Sequence, residues 1–196
     1  QKSEDTIYFC IADVSGKGIA AALLMSNFQA ALRTLLRSDA SLETIVRQLN
    51  YTLFDNTKGE RFITFFLGEY RFLTQTLRFI NAGHNPPILC REDSMQGETL
   101  EAGTTILGAF EELPFMEVGS RTNLGKFMIH LYTDGLTETI NPNEEEFGED
   151  RFRAFAEGNI CMDPDMFHRN FLEEINKFSK DQPLRDDLTL LSLRIA

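Results

Sequence analysis

The sequence is poor in basic residues and in cysteine. Lys and Arg number 19 against 30 Asp and Glu, which gives a formal net charge of -11. Nucleic-acid binding needs a basic surface that displaces counterions from phosphates, so this balance argues against it. The three cysteines, Cys10, Cys90 and Cys161, are odd in number and follow no zinc or redox spacing. We therefore expect reduced thiols in a cytoplasmic protein.

The sequence also lacks a long apolar run, a signal peptide and a phosphate-binding loop. The charge-free stretch 18–32 contains Ser26, Asn27 and Gln29 and is too short to span a bilayer. The polar first residues do not resemble a signal peptide. Gly16-Lys17-Gly18 is not a Walker loop, because Ile11 stands where the first glycine of that motif is needed.

What is present is the pattern of one globular domain of the α+β class. The hydrophobic fraction is 42%, and we find neither an internal repeat nor a linker that would split 1–196. The predicted elements are strands at 7–12, 62–72, 77–81, 88–91, 98–101, 115–123, 127–132 and 189–195, and helices at 18–36, from Ser41 onward, 150–156 and about 164–178. Many short strands and a central hairpin favour a mainly antiparallel sheet. The helix 18–36 is apolar nearly all round, so we expect it to be covered on both sides.

Carboxylates stand at the ends of three apolar strands. Asp13 follows the first strand and precedes a glycine-rich turn, Asp134 follows 127–132, and the pair Asp186-Asp187 precedes the last strand. If antiparallel strands bring them to one rim, they form an all-oxygen site that suits Mg²⁺ or Mn²⁺ rather than zinc. The alternative is three separate turn carboxylates, with Asp13 starting the turn or capping the helix.

Five segments make the sequence recognisable. They are ADVSGKGIAAALLM at 12–25, INAGHNPPIL at 80–89, LYTDGLTE at 131–138, EEEFGEDRF at 144–152 and RDDLTLLSLRI at 185–195. Their order and spacing resemble the bacterial sporulation stage II protein E branch of the metal-dependent protein phosphatase 2C superfamily. A single TDG would mean little, but five motifs in register cover essentially the whole chain.

The resemblance implies a four-layer α-β-β-α sandwich of two packed antiparallel sheets with helices outside each. It implies hydrolysis of phosphoserine or phosphothreonine by hydroxide that two Mn²⁺ or Mg²⁺ ions activate. The implied substrate is a small phosphorylated regulator of the anti-anti-sigma type, and a sensor or receiver domain would precede this one. The resemblance also allows a homodimer.

Residue by residue, the resemblance assigns the metal ligands. Asp13 would bridge both ions, and the backbone carbonyl of Val14 would bind one of them. Asp134 and Asp186 would complete the set, and Asp187 is the competing assignment for the last ligand.

Two further residues are candidates for contacting the substrate phosphate. Lys17 stands at the start of the first helix, where the helix dipole favours anions. His84 stands in the AGHNPP loop. For each residue a structural role remains open: a surface lysine in a turn, and a histidine that braces a proline-rich loop.

One family motif is missing. The family carries an upstream strand with a Gly-Gly-Asp-x-x-Asp-like motif, and this chain starts six residues before Ile7. We therefore expect a piece of a longer signalling protein without that acidic strand. The alternative function is a catalytically weak or inactive phosphatase-fold module that binds a regulatory partner.

Overall fold

The computed structural model describes residues 5–180, 182–184 and 186–196; Arg185, which opens the last motif, lies outside this set. The helices are α1 (Ile19–Leu35), α2 (Leu42–Thr57), α3 (Asp134–Thr137), α4 (Gly148–Gly158) and α5 (Pro164–Ser179). The strands are β1 (Thr6–Val14), β2 (Ile63–Arg71), β3 (Thr76–Ala82), β4 (Ile88–Arg91), β5 (Gln96–Thr99), β6 (Gly103–Thr104), β7 (Gly119–Arg121), β8 (Phe127–Tyr132) and β9 (Leu190–Ile195).

The chain divides into two compact units. The first comprises residues 1–84 and 101–123, and the second comprises 85–100 and 124–196. Each unit contains one sheet and the helices that pack on it, and the strand pairs are mainly antiparallel. The predicted α+β class is confirmed.

The sheet of the first unit has the order β1-β2-β3-β6, with β7 also pairing with β3. The predicted hairpin is confirmed as β2 and β3, which pair from Phe65–Ala82 to Arg71–Thr76. Apolar and aromatic residues dominate these strands, and consecutive residues such as Phe65, Phe66 and Leu67 are buried, so both faces of the hairpin are covered. Phe28 of α1 packs edge-to-face on Phe65 of β2, with ring centroids 5.1 Å apart.

The expectation that α1 is covered on both sides is wrong. One stripe of the helix is buried, formed by Leu24, Phe28 and Leu32. Ile19 and Leu23 are 82% and 62% exposed. The alanines between these residues let the helix rest on the sheet through a single narrow stripe, which leaves its other side open.

Helix α2 begins at the predicted cap. The Oγ of Ser41 accepts a hydrogen bond from the backbone N–H of Thr44 at 3.2 Å. Asn50, which is buried, joins this helix to the loop that follows β6. Its amide donates to the carbonyls of Phe110 and Glu111, and its Oδ1 accepts from the N–H of Gly108. This side chain therefore satisfies three backbone groups of a loop sixty residues away.

Two strands are shorter or shifted relative to the predictions. The expected strand 115–123 is reduced to β7, and the left-handed φ of 54° at Asn123 ends the extended conformation on its C-terminal side. The expected strand 98–101 is β5, which spans Gln96–Thr99 and pairs with β4. The sequence there has few residues that favour one register over another.

The sheet of the second unit has the order β5-β4-β8-β9. An aromatic cluster lies between this sheet and helices α4 and α5. Phe171 is at its centre, with ring centroids 5.0 Å from Phe152, 5.2 Å from Phe155 and 5.7 Å from Phe147. Edge-to-face contacts of this kind add to the stabilisation that burial alone provides.

None of the described helices combines the length and apolarity that crossing a bilayer requires. The three cysteines are free thiols, of which Cys90 is buried and Cys161 exposed. Burial raises the pKa of the Cys90 thiol to about 12, so it stays protonated at neutral pH.

Candidate active site

Asp13 lies near the end of β1, exposed, and pairs across the sheet with Thr64 of β2. The chain then turns through Gly16 and Gly18, whose φ angles of 93° and 83° lie in the region that favours glycine. Helix α1 starts directly after the turn, with Gly18 as its N-cap and no side-chain cap bond. Asp13 is therefore not the helix cap, and it lies at the C-terminal end of β1.

The turn after Asp13 is attached to the residues that lead into β2. The N–H of Ser15 donates to the carbonyl of Phe62 at 3.0 Å, and the N–H of Phe62 donates to the Oγ of Ser15 at 2.9 Å. Arg61 adds a third bond, from Nη1 to the Ser15 carbonyl at 3.2 Å. These contacts fix the conformation of a glycine-containing segment that would otherwise be free to vary.

His84 belongs to a hydrogen-bonded network next to the Asp13 strand end. Its Nδ1 lies 2.8 Å from the Oγ1 of Thr64, the residue opposite Asp13. Its backbone exchanges two bonds with the side chain of Asn81, at 2.8 and 3.0 Å. His84 is 5% exposed, so the structure gives it a bracing position in the loop; a contact with substrate stays a prediction.

Asp134 is the first residue of α3, directly after β8. Thr133 joins this strand end to the segment before β9. Its N–H donates to the carbonyl of Thr189, and its Oγ1 accepts from the N–H of Thr189, both at 3.2 Å. The Oγ1 also donates to the carbonyl of Asp187 at 3.3 Å.

Gly135 allows the second and third carboxylate segments to approach each other. A Cβ at this glycine would lie 2.4 Å from the carbonyl oxygen of Asp187, closer than any side chain allows. Asp186 and Asp187 are both exposed, and one carboxylate oxygen of Asp186 accepts the N–H of Asp187 at 2.8 Å. Asp134 is half-buried.

The second unit thus brings the backbone segment that carries Asp134 against the segment of Asp186 and Asp187; that their carboxylates share a metal stays a prediction. Asp13, Val14, Lys17 and His84 all belong to the first unit. Within residues 5–180, 182–184 and 186–196, no group of three or more His, Cys, Asp or Glu side chains is arranged to hold a metal ion. The convergence of Asp13 with Asp134 stays a prediction.

Two histidines contact the same serine, Ser192, which lies on β9 opposite His130 of β8. The Oγ of Ser192 lies 2.8 Å from Nδ1 of His130 and 2.9 Å from Nε2 of His168. His130 is fully buried and stacked on Phe167, with ring centroids 4.1 Å apart. Burial, with a smaller contribution from the charge of His168, lowers the pKa of His130 to about 3. His130 is therefore neutral at physiological pH and serves the core.

Sequence reasoning missed three supporting residues: Ser15, Thr133 and Arg61. Ser15 and Thr133 stand inside the recognised motifs, so a hydroxyl close to each carboxylate was a usable signal. Arg61 carried no signal, because its contact with Ser15 spans 46 positions.

Comparisons with known proteins agree with these motifs. The sequence profile described as "Stage II sporulation protein E (SpoIIE)" matches residues 3–196. The chain is 29% identical over 193 residues to "Phosphoserine phosphatase RsbU" of Bacillus subtilis (strain 168), covering 98% of this chain and 57% of that protein. The chain thus spans little more than half the length of this curated relative.

Two solved structures resemble the chain along its length. The RsbU and RsbW domains of Rv1364c from Mycobacterium tuberculosis align with a TM-score of 0.79 and 26% identity, covering 97% of this chain and 52% of that one. The PP2C phosphatase domain of SpoIIE from Bacillus subtilis, solved with a fragment of its regulatory domain, aligns with a TM-score of 0.83 and 20% identity, covering 100% of this chain and 56% of that one. These matches confirm the fold class.

Proposed function

Because this chain belongs to the stage II sporulation protein E (SpoIIE) family, we propose that it is a metal-dependent protein serine/threonine phosphatase. The observation that carries the proposal is the pair of strand-end aspartates, Asp13 and Asp134, each followed within three residues by a glycine and each supported by a neighbouring hydroxyl residue. The relative named as a phosphoserine phosphatase matches over 98% of the chain and thus includes both aspartates' segments.

The residues present fit a hard divalent cation. The candidate ligands are the carboxylates of Asp13, Asp134 and Asp186 or Asp187, with the carbonyl of Val14, and all of them offer oxygen. The carboxylates are exposed or half-buried at strand ends, where a cation can reach them. Two Mn²⁺ or Mg²⁺ ions bound there would neutralise the phosphoryl group and activate water toward it.

The first unit supplies groups that orient the substrate in this proposal. Helix α1 has no side-chain cap, so the N–H groups of its first turn remain available to an anion. Lys17 is exposed just before this turn and adds a positive charge. His84, through Thr64, keeps the strand opposite Asp13 in place; we retain it as a candidate for a direct contact with the phosphate.

The substrate we propose is a phosphorylated regulatory protein of the anti-anti-sigma type, with the reaction taking place in the cytoplasm. The matched portion of RsbU is 57% of that protein, which leaves room for a sensor or receiver domain in a longer parent protein. We propose that such a domain regulates this one, and that two copies of the protein form a homodimer.

The test is phosphate release from phosphoserine and phosphothreonine peptides in the presence of Mn²⁺ or Mg²⁺. Asp13→Asn and Asp134→Asn should each reduce the rate by more than about a hundredfold, beyond the usual cost of removing a supporting residue. Asp150→Asn, an exposed carboxylate at the start of α4, is the matched control and should keep the full rate. Full rates in excess chelator would refute the proposal.

If the protein binds the phosphopeptide without releasing phosphate, and Asp13→Asn leaves that binding unchanged, the result would instead support the alternative. The protein would then be a module that binds a regulatory partner without dephosphorylating it.

A further inference from the structure

Arg61 stands two residues before β2 and reaches the turn that follows Asp13. Its Nη1 donates to the carbonyl of Ser15 at 3.2 Å. A Cβ built at Gly16 would lie 2.5 Å from the same nitrogen, so the guanidinium fills the space beside the turn. Arg61 is half-buried, and its contact is to backbone, so it acts on the shape of the turn.

The backbone of Arg61 is itself held in place. The hydroxyl of Thr57, at the end of α2, donates to the Leu53 carbonyl at 2.9 Å and shares the same proton with the Arg61 carbonyl at 3.3 Å. A Cβ at Gly108 would lie 2.9 Å from that carbonyl, so the loop that Asn50 holds packs directly against it. Arg61 therefore connects a fixed part of the first unit to the turn.

We propose that Arg61 is a positioning residue that holds the Ser15–Gly16 turn so that Asp13 and the Val14 carbonyl keep one orientation toward a bound cation. Gly16 and Gly18 allow the positive φ angles of the turn. Glycine also permits many other backbone conformations, so the turn needs further contacts to keep this one. The hydrogen bond from the charged Arg61 side chain to the Ser15 carbonyl restricts that freedom. The cation part of the inference rests on the proposed function.

The sign of the effect on metal affinity separates positioning from charge alone. A cation near a metal site repels the metal, so removing a guanidinium that acts only through its charge would strengthen Mn²⁺ binding. Removing a guanidinium that positions Asp13 would weaken it. If Arg61 had only a structural role, its removal would lower the stability of the fold and leave the affinity for Mn²⁺ unchanged.

The experiment compares Arg61→Gln and Arg61→Lys with Arg37→Gln, which changes an exposed arginine after α1. The first measurement is amide hydrogen exchange at Ser15 and Phe62 without metal, followed by NMR. We expect Arg61→Gln to speed exchange at both amides about tenfold, the size of one net hydrogen bond from a charged group. Arg61→Lys should give a smaller increase, because an ammonium can still reach one carbonyl, and Arg37→Gln should change nothing.

The second measurement is calorimetric titration with Mn²⁺. Arg61→Gln should weaken binding by about tenfold, with Arg61→Lys intermediate. Unchanged exchange at Ser15 and Phe62 would overturn the contact role, and unchanged or tighter Mn²⁺ binding would overturn the positioning role. If the wild-type protein binds no Mn²⁺, the proposed function fails, while the exchange measurement still decides whether Arg61 holds the turn.

Discussion

The two units hold their aspartates by the same hydrogen-bond arrangement on different sides of the residue. Ser15, two positions after Asp13, exchanges two bonds with Phe62; Thr133, one position before Asp134, exchanges two bonds with Thr189. In each case one backbone N–H and one hydroxyl join the end of a strand to the residue that leads into its neighbour. The backbone that carries each aspartate is thereby fixed relative to a strand pair.

The units differ in what lies behind that arrangement. In the first unit a largely aliphatic core lies under the sheet, and polar contacts from Arg61, Asn50 and the network around His84 add to it at the strand end. In the second unit a cluster of aromatic rings packs on β4 and β8. Removing one polar side chain costs only the stability of its own hydrogen bonds, whereas removing a central ring opens a cavity that its neighbours cannot fill. The two units should therefore respond differently to substitution.

The largest effect should come from Phe171→Ala in the aromatic cluster. Losing this buried ring removes contacts with four other phenylalanines and should lower the free energy of unfolding by about 3–5 kcal/mol. Urea unfolding measures the loss. Phe115→Ala, which changes a ring that is 58% exposed, should stay within about 0.5 kcal/mol. A small loss at Phe171 would mean that packing does not support the second unit.

The second effect is a pH dependence that originates in His130. Its pKa in the folded protein, about 3, lies below that of an unfolded histidine, so the unfolded state takes up a proton first as pH falls. The contribution of His130 to the free energy of unfolding is therefore complete above about pH 6.5. Toward pH 3 it falls by up to about 1.4 kcal/mol per pH unit. His130→Gln should remove this slope in urea unfolding between pH 4.5 and 7.

His168→Gln is the control for that slope, because it leaves His130 buried while it removes the second imidazole that contacts Ser192. It should retain most of the pH dependence. An unchanged slope in His130→Gln would assign acid sensitivity to other groups.

A smaller loss, about 2 kcal/mol, should follow Asn50→Ala in the first unit. The change leaves the carbonyl of Phe110 and the N–H of Gly108 without their side-chain partner. The loop should also become a site of limited proteolysis, which mass spectrometry detects. Asn56→Ala, an exposed position on the same helix, should have little effect. Equal losses for the two variants would contradict the polar support of the first unit.

The smallest effects compare the two aspartate supports directly. Ser15→Ala and Thr133→Val should each cost about 1 kcal/mol, because each removes a side-chain acceptor and leaves the strand-end backbone bond in place. Thermal unfolding of both variants, side by side, tests the similarity. A loss in only one of them would show that the two arrangements are not equivalent.

The sequence was informative where structure is local. The hairpin of β2 and β3 followed from its apolar strands, and α1 was predicted at 18–36 and is found at Ile19–Leu35. The exposure of Leu23 could not be predicted, since composition does not say how many sides of a helix are covered. Asn50 looked like any polar position on a helix, and its partners lie sixty residues away. Long-range polar contacts leave no periodic pattern in a sequence.

For the site, the motifs predicted the strand-end setting of each aspartate, and the convergence of Asp13 and Asp134 with Asp186 or Asp187 stays a prediction. The residues that support them were found only from the fold, because Arg61 meets Ser15 across the β1–β2 pair.

The proposed function predicts that Asp13 and Asp134 both take part in cation binding, and a Mn²⁺ titration of four proteins tests this prediction most directly. These are the wild type, Asp13→Asn, Asp134→Asn and the double variant. A shared site predicts that each single change weakens binding more than about tenfold and that the double variant is hardly worse than either, because groups acting on one site are not additive. Additive losses, or binding that one single variant leaves intact, would contradict it.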